Sequence, residues 1–64
     1  MKTINAKNLK VNNIIMSGKY RFIVISTDRV TDKAITYTTN RLSPDPYDGN
    51  FFNRSLLDTK LTIE

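Results

Sequence analysis

Short segments rich in β-branched residues, separated by turn-forming residues, constrain this chain more than any other feature of its sequence. Ile, Val and Thr make up 18 of its 64 residues and fall in short runs between Asn, Asp, Gly, Pro and Ser. β-Branched side chains favour extended backbone, and the residues between the runs favour turns. The sequence therefore predicts an all-β fold. It contains no fixed-period repeat, low-complexity tract or linker that would divide the chain into smaller units.

Residues 19–27 form the clearest predicted strand. Alternation with a period of two places Tyr20, Phe22 and Val24 on one face, which we expect to be core. The other face begins basic and becomes apolar, and it carries Lys19, Arg21, Ile23 and Ile25. We expect the apolar half of that second face to be covered by a bend of the strand between two sheets, by the N-terminal arm or by another molecule.

The remaining segments complete a small antiparallel architecture. We predict an extended arm over residues 1–12, turns at 12–13 and 28–32, further strands at 13–17, 33–39 and 59–64, and a long loop over 40–50. Gly18-Lys19 is a tight connection, and Asn53 caps one helical turn over residues 54–58. The prediction is one domain over residues 1–64, a small β-barrel or highly curved sheet of about five strands with one helical turn before the last strand.

The predicted opening hairpin resembles a known class of small barrel. Residues 9–15, Leu-Lys-Val-Asn-Asn-Ile-Ile, followed by Gly18 and residues 19–24, resemble the L-x-V-G-D-x-I, glycine turn and Y-x-V pattern of SH3-like barrels. KOW-type domains and the first domain of elongation factor P look similar, and small phage and accessory proteins also use such barrels. Asn12-Asn13 stands here where the pattern has Gly-Asp. The resemblance covers about residues 9–24 and implies an SH3-like fold with a non-catalytic binding role.

Composition excludes most catalytic chemistry. The chain has no His and no Cys, so it lacks the usual general base, the thiol nucleophile and the common ligands of zinc and copper. A chain of 64 residues also offers little room for a cleft that desolvates Asp, Glu or Lys. We therefore expect a protein that is not an enzyme and that uses no metal or cofactor.

Apolar runs in the sequence are short. The longest uninterrupted run, residues 22–25, is far below the roughly 20 residues that cross a bilayer, and no apolar block follows Lys2 as in a signal peptide. These features predict a cytoplasmic, soluble protein with no membrane partner.

The net charge of +4 is concentrated in the first half of the chain. Residues 1–33 carry +5 and residues 34–64 carry −1. Such a bias steers a protein toward nucleic acid or an acidic protein surface, although many small domains carry this much charge for solubility. Our first hypothesis is a binder of RNA or single-stranded DNA with Tyr20 or Tyr47 for stacking and five phosphate-contacting residues, namely Lys7, Lys10, Lys19, Arg21 and Arg29.

The segment over residues 41–54 supports a second hypothesis, a protein-binding regulator or inhibitor. Tyr and Arg are enriched at interface hot spots, and prolines reduce the entropy lost on ordering. The candidate contact residues are Arg41, Tyr47, Phe51 and Arg54. A homodimer through the face that carries Ile23 and Ile25 and a purely structural subunit are further alternatives.

Overall fold

Six antiparallel strands form one sheet in the order β1-β6-β2-β3-β4-β5. The computed structural model describes residues 2–64, apart from the side chain of Asp48. The strands are β1 (Lys2–Asn5), β2 (Ile14–Ser17), β3 (Tyr20–Val30), β4 (Ala34–Ser43), β5 (Tyr47–Leu56) and β6 (Lys60–Ile63), with one 3-10 turn, η1 (Ala6–Asn8). Over residues 2–64, no helix has the length and apolar character needed to span a membrane.

The all-β prediction is confirmed, and of its two predicted forms the structure has the curled sheet. Within the described residues, β1 and β5 are the two sheet edges and do not pair with each other. The sixth strand arises because the predicted arm is extended and pairs along β6, from Lys2 opposite Ile63 to Asn5 opposite Lys60. Met1, the first residue of that arm, lies outside the described residues.

The turn residues of the opening hairpin adopt the backbone conformation that the sequence predicts. Asn12 has a φ of 78° and Gly18 a φ of 60°, both in the left-handed region. The Asn12 amide donates to the carbonyl oxygen of Val24, and the Val24 amide donates to that of Asn13. These two bonds hold the segment before β2 against β3.

The predicted helical turn before the last strand is wrong in position. β5 continues to Leu56, with Arg54 opposite Thr36 and Leu56 opposite Ala34. Asn53 does not cap a helix, because its side-chain amide donates to Thr39 and to the carbonyl oxygen of Phe51. Pairing with β4 therefore overrides the local capping signal, and the 3-10 turn lies instead at Ala6–Asn8.

The predicted loop over residues 40–50 is also wrong, because β4 and β5 form a hairpin with a short turn. β4 ends at Ser43 and β5 begins at Tyr47, so that Pro44 and Pro46 both fall in the connection, where no ladder donor is required. Thr39 lies opposite Phe51 and Arg41 opposite Tyr47. The three residues 48–50 therefore face one residue of β4, and this bulge absorbs the rest of the predicted loop.

β3 is longer than predicted and ends at Val30, because the turn forms at residues 31–33 rather than 28–32. The Thr31 hydroxyl oxygen accepts hydrogen bonds from the amides of Lys33 and Ala34, which closes that turn. Asp28 lies inside the strand, at a register shift between Thr27 and Arg29. Polar residues in this segment thus mark a bulge and not the end of the strand.

The carboxylate of Asp28 accepts hydrogen bonds from the hydroxyls of Thr38 and Ser26, each at 2.7 Å. Thr38, then Ser26, lowers the pKa of Asp28 below its ordinary value of 3.8, and desolvation opposes them. The folded state therefore favours the ionised carboxylate, and the resulting stability is present above the unfolded-state pKa and lost as pH falls through the folded-state pKa.

We expect acidification to destabilise the wild type more than Asp28→Asn. Urea unfolding followed by circular dichroism from about pH 7 to about pH 3 measures this difference. The midpoint of the wild type should fall further over the acidic part of the range. Parallel pH profiles of the two proteins would contradict the assigned role of the carboxylate.

Bulges curl the sheet around a small core. β3 shifts register against β4 at three places and β4 shifts against β5 at one, and each bulge bends and twists its strand. On the concave side the core cluster comprises Ala6, Leu9, Val24, Ile35 and Tyr37, and η1 packs against β4 and β5. Val24 is confirmed as a core residue, whereas Tyr20 and Phe22 are half-buried and line an opening next to the core.

Candidate functional site

An open cleft occupies the part of the concave side beside the core. Its volume is about 440 Å³, which falls within the range of small-ligand sites. Five of the six strands contribute side chains, and the lining residues are Ile15, Ser17, Tyr20, Phe22, Tyr37, Thr39, Arg41, Phe51, Asn53 and Leu61. The cleft is therefore built by the tertiary fold, with three lining residues from β4, two each from β2, β3 and β5, and one from β6.

Four aromatic rings form a contiguous group at the cleft, which we call the aromatic cluster: Tyr20, Phe22, Tyr47 and Phe51. The centroids of Tyr20 and Phe22 are 6.2 Å apart, those of Phe22 and Phe51 are 5.9 Å apart with an edge-to-face angle of 76°, and those of Tyr47 and Phe51 are 5.5 Å apart. These separations are typical of favourable ring pairs. The rings come from β3 and β5, the two strands that flank β4.

Gly49 allows the ring of Tyr47 to take its position. A Cβ atom at Gly49 would overlap the Cε2, Cζ and Oη atoms of Tyr47 at distances that real Cβ atoms do not show. The ring therefore lies directly over the backbone of β5, and 53% of the residue remains exposed. The ring thus has a defined position at the cleft and is in contact with solvent.

Two cations lie over the aromatic cluster. The guanidinium carbon of Arg41 is 5.7 Å from the ring centroid of Tyr20 and 5.8 Å from that of Tyr47, and the ammonium of Lys19 is 5.5 Å from that of Tyr20. These distances fall within the range of cation–π attraction. The pairing of Arg41 with both Phe22 and Tyr47 across the strands places its side chain between the two flanking strands.

Arg41 interacts with Asp45, and the ion pair between the two side chains is weak. The Nε atom of Arg41 donates to the backbone carbonyl oxygen of Asp45 at 2.7 Å. The ion pair between the Nη2 atom and the Asp45 carboxylate is long, at 3.8 Å, and that carboxylate is mostly exposed. An exposed ion pair of this kind contributes little, so the guanidinium keeps donors for an anionic ligand.

The five basic residues of the first hypothesis do not form one surface. Lys19 joins the aromatic cluster, but Arg21 lies on the other face of β3 and forms an ion pair with Glu64 at 2.5 Å. Arg29 is at the far end of β3, about 30 Å of extended chain from Lys19. Lys7 lies in η1 and Lys10 in the segment before β2.

The prediction that Lys19 and Tyr20 belong to opposite faces is wrong for a local reason. Lys19 lies in the turn that precedes β3, where strand alternation does not apply, and its side chain reaches back over the ring of Tyr20. Arg21, which is within the strand, follows the alternation. One basic residue of the pair thus meets the aromatic rings and the other does not.

Three of the four residues of the second hypothesis lie in or beside the cleft. Arg41 and Phe51 line it and Tyr47 contacts Phe51, whereas Arg54 is exposed on the other face of β5 with Phe52 and Leu56. The residues that the sequence assigned to two separate sites therefore combine, with Lys19 joining Arg41, Tyr47 and Phe51. The sequence analysis did not single out Thr39 and Asn53, which line the cleft, and it assigned Asn53 to a helix cap.

The face proposed for homodimerisation is only partly apolar and exposed. Ile23 is half-buried opposite Asn40, and Ile25 is exposed at a register shift of β3. Among the residues that the structure describes, no group of three or more His, Cys, Asp or Glu side chains is placed to hold a metal ion.

Comparisons with protein-family models, with curated proteins and with solved structures find no match for this chain.

Proposed function

We propose that this protein binds single-stranded nucleic acid in the cleft of its concave face. The observation that carries the proposal is that two cations, Lys19 and Arg41, lie over the rings of a half-buried Tyr20 and an exposed Tyr47 at one open cleft. Proteins that bind single strands without a duplex combine stacking rings with positive charge along the backbone of the ligand. A net charge of +4 adds a general attraction for a polyanion.

Each part of the cleft has a role in this interaction. Bases stack on Tyr47 and Tyr20, whose rings form the outer part of the aromatic cluster, and Phe22 and Phe51 support those rings from within. The guanidinium of Arg41 and the ammonium of Lys19 contact phosphates, because both lie over rings of the aromatic cluster and not on the opposite face of the sheet. Because the carboxylate of Asp45 is exposed and 3.8 Å from Arg41, a phosphate replaces it at little cost.

Salt dependence of binding tests the proposal. Fluorescence anisotropy with labelled single-stranded DNA and RNA of about 12 nucleotides, within the usual site sizes, measures the association constant over a range of salt concentrations. If Lys19 and Arg41 each neutralise one phosphate, the logarithm of that constant falls with the logarithm of salt with a slope of about −1.4. A duplex of the same sequence serves as the control, since its stacked bases cannot enter the cleft. Absence of binding by every single strand at low salt would overturn the proposal.

A protein-binding role is the second candidate, and the edge of β5 favours it. Among residues 2–64, β5 pairs with β4 alone, and its outer face exposes 79% of Phe52 and 58% of Leu56. An exposed edge strand with apolar residues is a template for strand addition by a partner chain. The double variant Phe52→Ser and Leu56→Ser separates the candidates, because it changes the outer face of β5 and leaves the cleft unchanged. If the cleft binds nucleic acid, this variant binds the oligonucleotide like the wild type. If the edge of β5 binds a partner protein, the variant loses that partner.

A further inference from the structure

We infer that the floor of the cleft favours adenine and cytosine, which carry an amino group at the position where guanine, uracil and thymine carry a carbonyl oxygen, over those three bases. This inference rests on the proposed function, since it assigns the base preference of the same site. It is carried by the side chain of Asn53, whose hydrogen bonds within the chain fix which end of its amide is available to a ligand.

Both amide hydrogens of Asn53 are occupied. Its Nδ2 atom donates to the hydroxyl oxygen of Thr39 at 3.2 Å and to the backbone carbonyl oxygen of Phe51 at 3.0 Å. An asparagine amide has two hydrogens, so no donor remains for a ligand. Within the described residues, the Oδ1 atom of Asn53 accepts no hydrogen bond from another side chain.

The carbonyl oxygen of Phe51 determines this orientation of the amide. If the amide were rotated by 180°, its Oδ1 atom would face that carbonyl oxygen, and two acceptors without a hydrogen between them repel each other. The hydroxyl of Thr39 tolerates either orientation because it donates and accepts. Asn53 is therefore held as a hydrogen-bond acceptor at the cleft, where it is half-buried among the lining residues.

An acceptor of fixed orientation discriminates among bases. Adenine presents its N6 amino group and cytosine its N4 amino group as donors, whereas thymine and uracil carry the O4 oxygen and guanine the O6 oxygen at the corresponding place. A base stacked on the aromatic cluster with this edge toward β5 donates to Asn53 if it is adenine or cytosine. When they present the same edge, the other bases place their O6 or O4 oxygen against the Oδ1 atom of Asn53, and neither oxygen has a hydrogen to donate.

The experiment compares homopolymeric single strands that differ only in the base, at one low salt concentration, by fluorescence anisotropy. We expect oligo(dA) and oligo(dC) to bind about tenfold more tightly than oligo(dT). The matched ligand is a strand of purine deoxynucleosides, which keeps the stacking surface of adenine but lacks its amino group. It should bind about as weakly as oligo(dT) if the amino group is what Asn53 accepts.

The variant Asn53→Leu tests the residue, because leucine has a similar volume and no acceptor. The preference for oligo(dA) over the purine strand should disappear in this variant. If the variant does not fold, the comparison of the two strands with the wild type decides the question alone. Equal affinities of the wild type for these strands would overturn the base preference while leaving the proposed function intact. Absence of binding by all strands would overturn the proposed function and the preference with it.

Discussion

Replacing Tyr20 with alanine weakens the binding of single-stranded oligonucleotides between about fivefold and 150-fold, according to the 1–3 kcal/mol that stacking of one base contributes. Tyr20 carries this effect because its ring contacts Phe22 and lies under both Lys19 and Arg41. Its loss removes a stacking surface and also releases the two cations from their positions. Fluorescence anisotropy at constant salt measures the change.

Two control variants make this experiment specific. Tyr20→Phe keeps the ring and should bind within about twofold of the wild type, since stacking does not require the hydroxyl. Phe52→Ala removes an aromatic residue from the opposite face of the sheet and should bind like the wild type. Circular dichroism establishes that each variant is folded. A folded Tyr20→Ala protein with the affinity of the wild type would exclude this cleft as the binding surface.

Replacing Ile35 with alanine should unfold a large part of the protein at room temperature. Ile35 is 1% exposed and belongs to the core cluster, and substitutions of this kind cost about 2–5 kcal/mol. A chain of this length has a total stability of about 3–10 kcal/mol. The loss is therefore comparable to the whole stability, and urea unfolding should show a midpoint lowered by more than about 1 M or no folded baseline.

Ile25→Ala is the matched control for the core substitution, because it changes the same residue type at a site that is 39% exposed. We expect a cost of less than about 1 kcal/mol for this variant, since part of the side chain is already in contact with water. Equal destabilisation by the two variants would show that the concave side does not contain the core.

Strand positions were predictable where the sequence alternates clearly. Of the predicted strand at residues 19–27, all but Lys19 lie within β3, and residues 33–39 lie largely within β4, because β-branched and aromatic side chains at a period of two leave one face to bury. The turns at Asn12 and Gly18 were predictable because few residues accept a positive φ. Errors occur where local signals compete with strand pairing, as at Asn53 and in residues 40–50.

The site could not be predicted without knowing which residues of neighbouring strands lie opposite each other. Phe22, Arg41 and Tyr47 are separated along the chain, and they meet because β3, β4 and β5 are adjacent and two register shifts set their alignment. Reasoning from charge alone grouped Lys19 with Arg21 and Arg29, which the curled sheet separates. Nothing in the sequence around Asn53 indicates that its amide is held by Thr39 and Phe51.

The sequence by itself determined the class of fold, because β-branched alternation specifies strands, and it excluded His and Cys side chains from any site within these 64 residues. Only the tertiary structure decided which side chains share a surface. Strand parity fixes the face on which a residue lies, but register shifts and turns change that parity, and these depend on contacts between distant residues. For this reason the basic residues, grouped by sequence, are dispersed, while the aromatic residues of two different segments form one cleft.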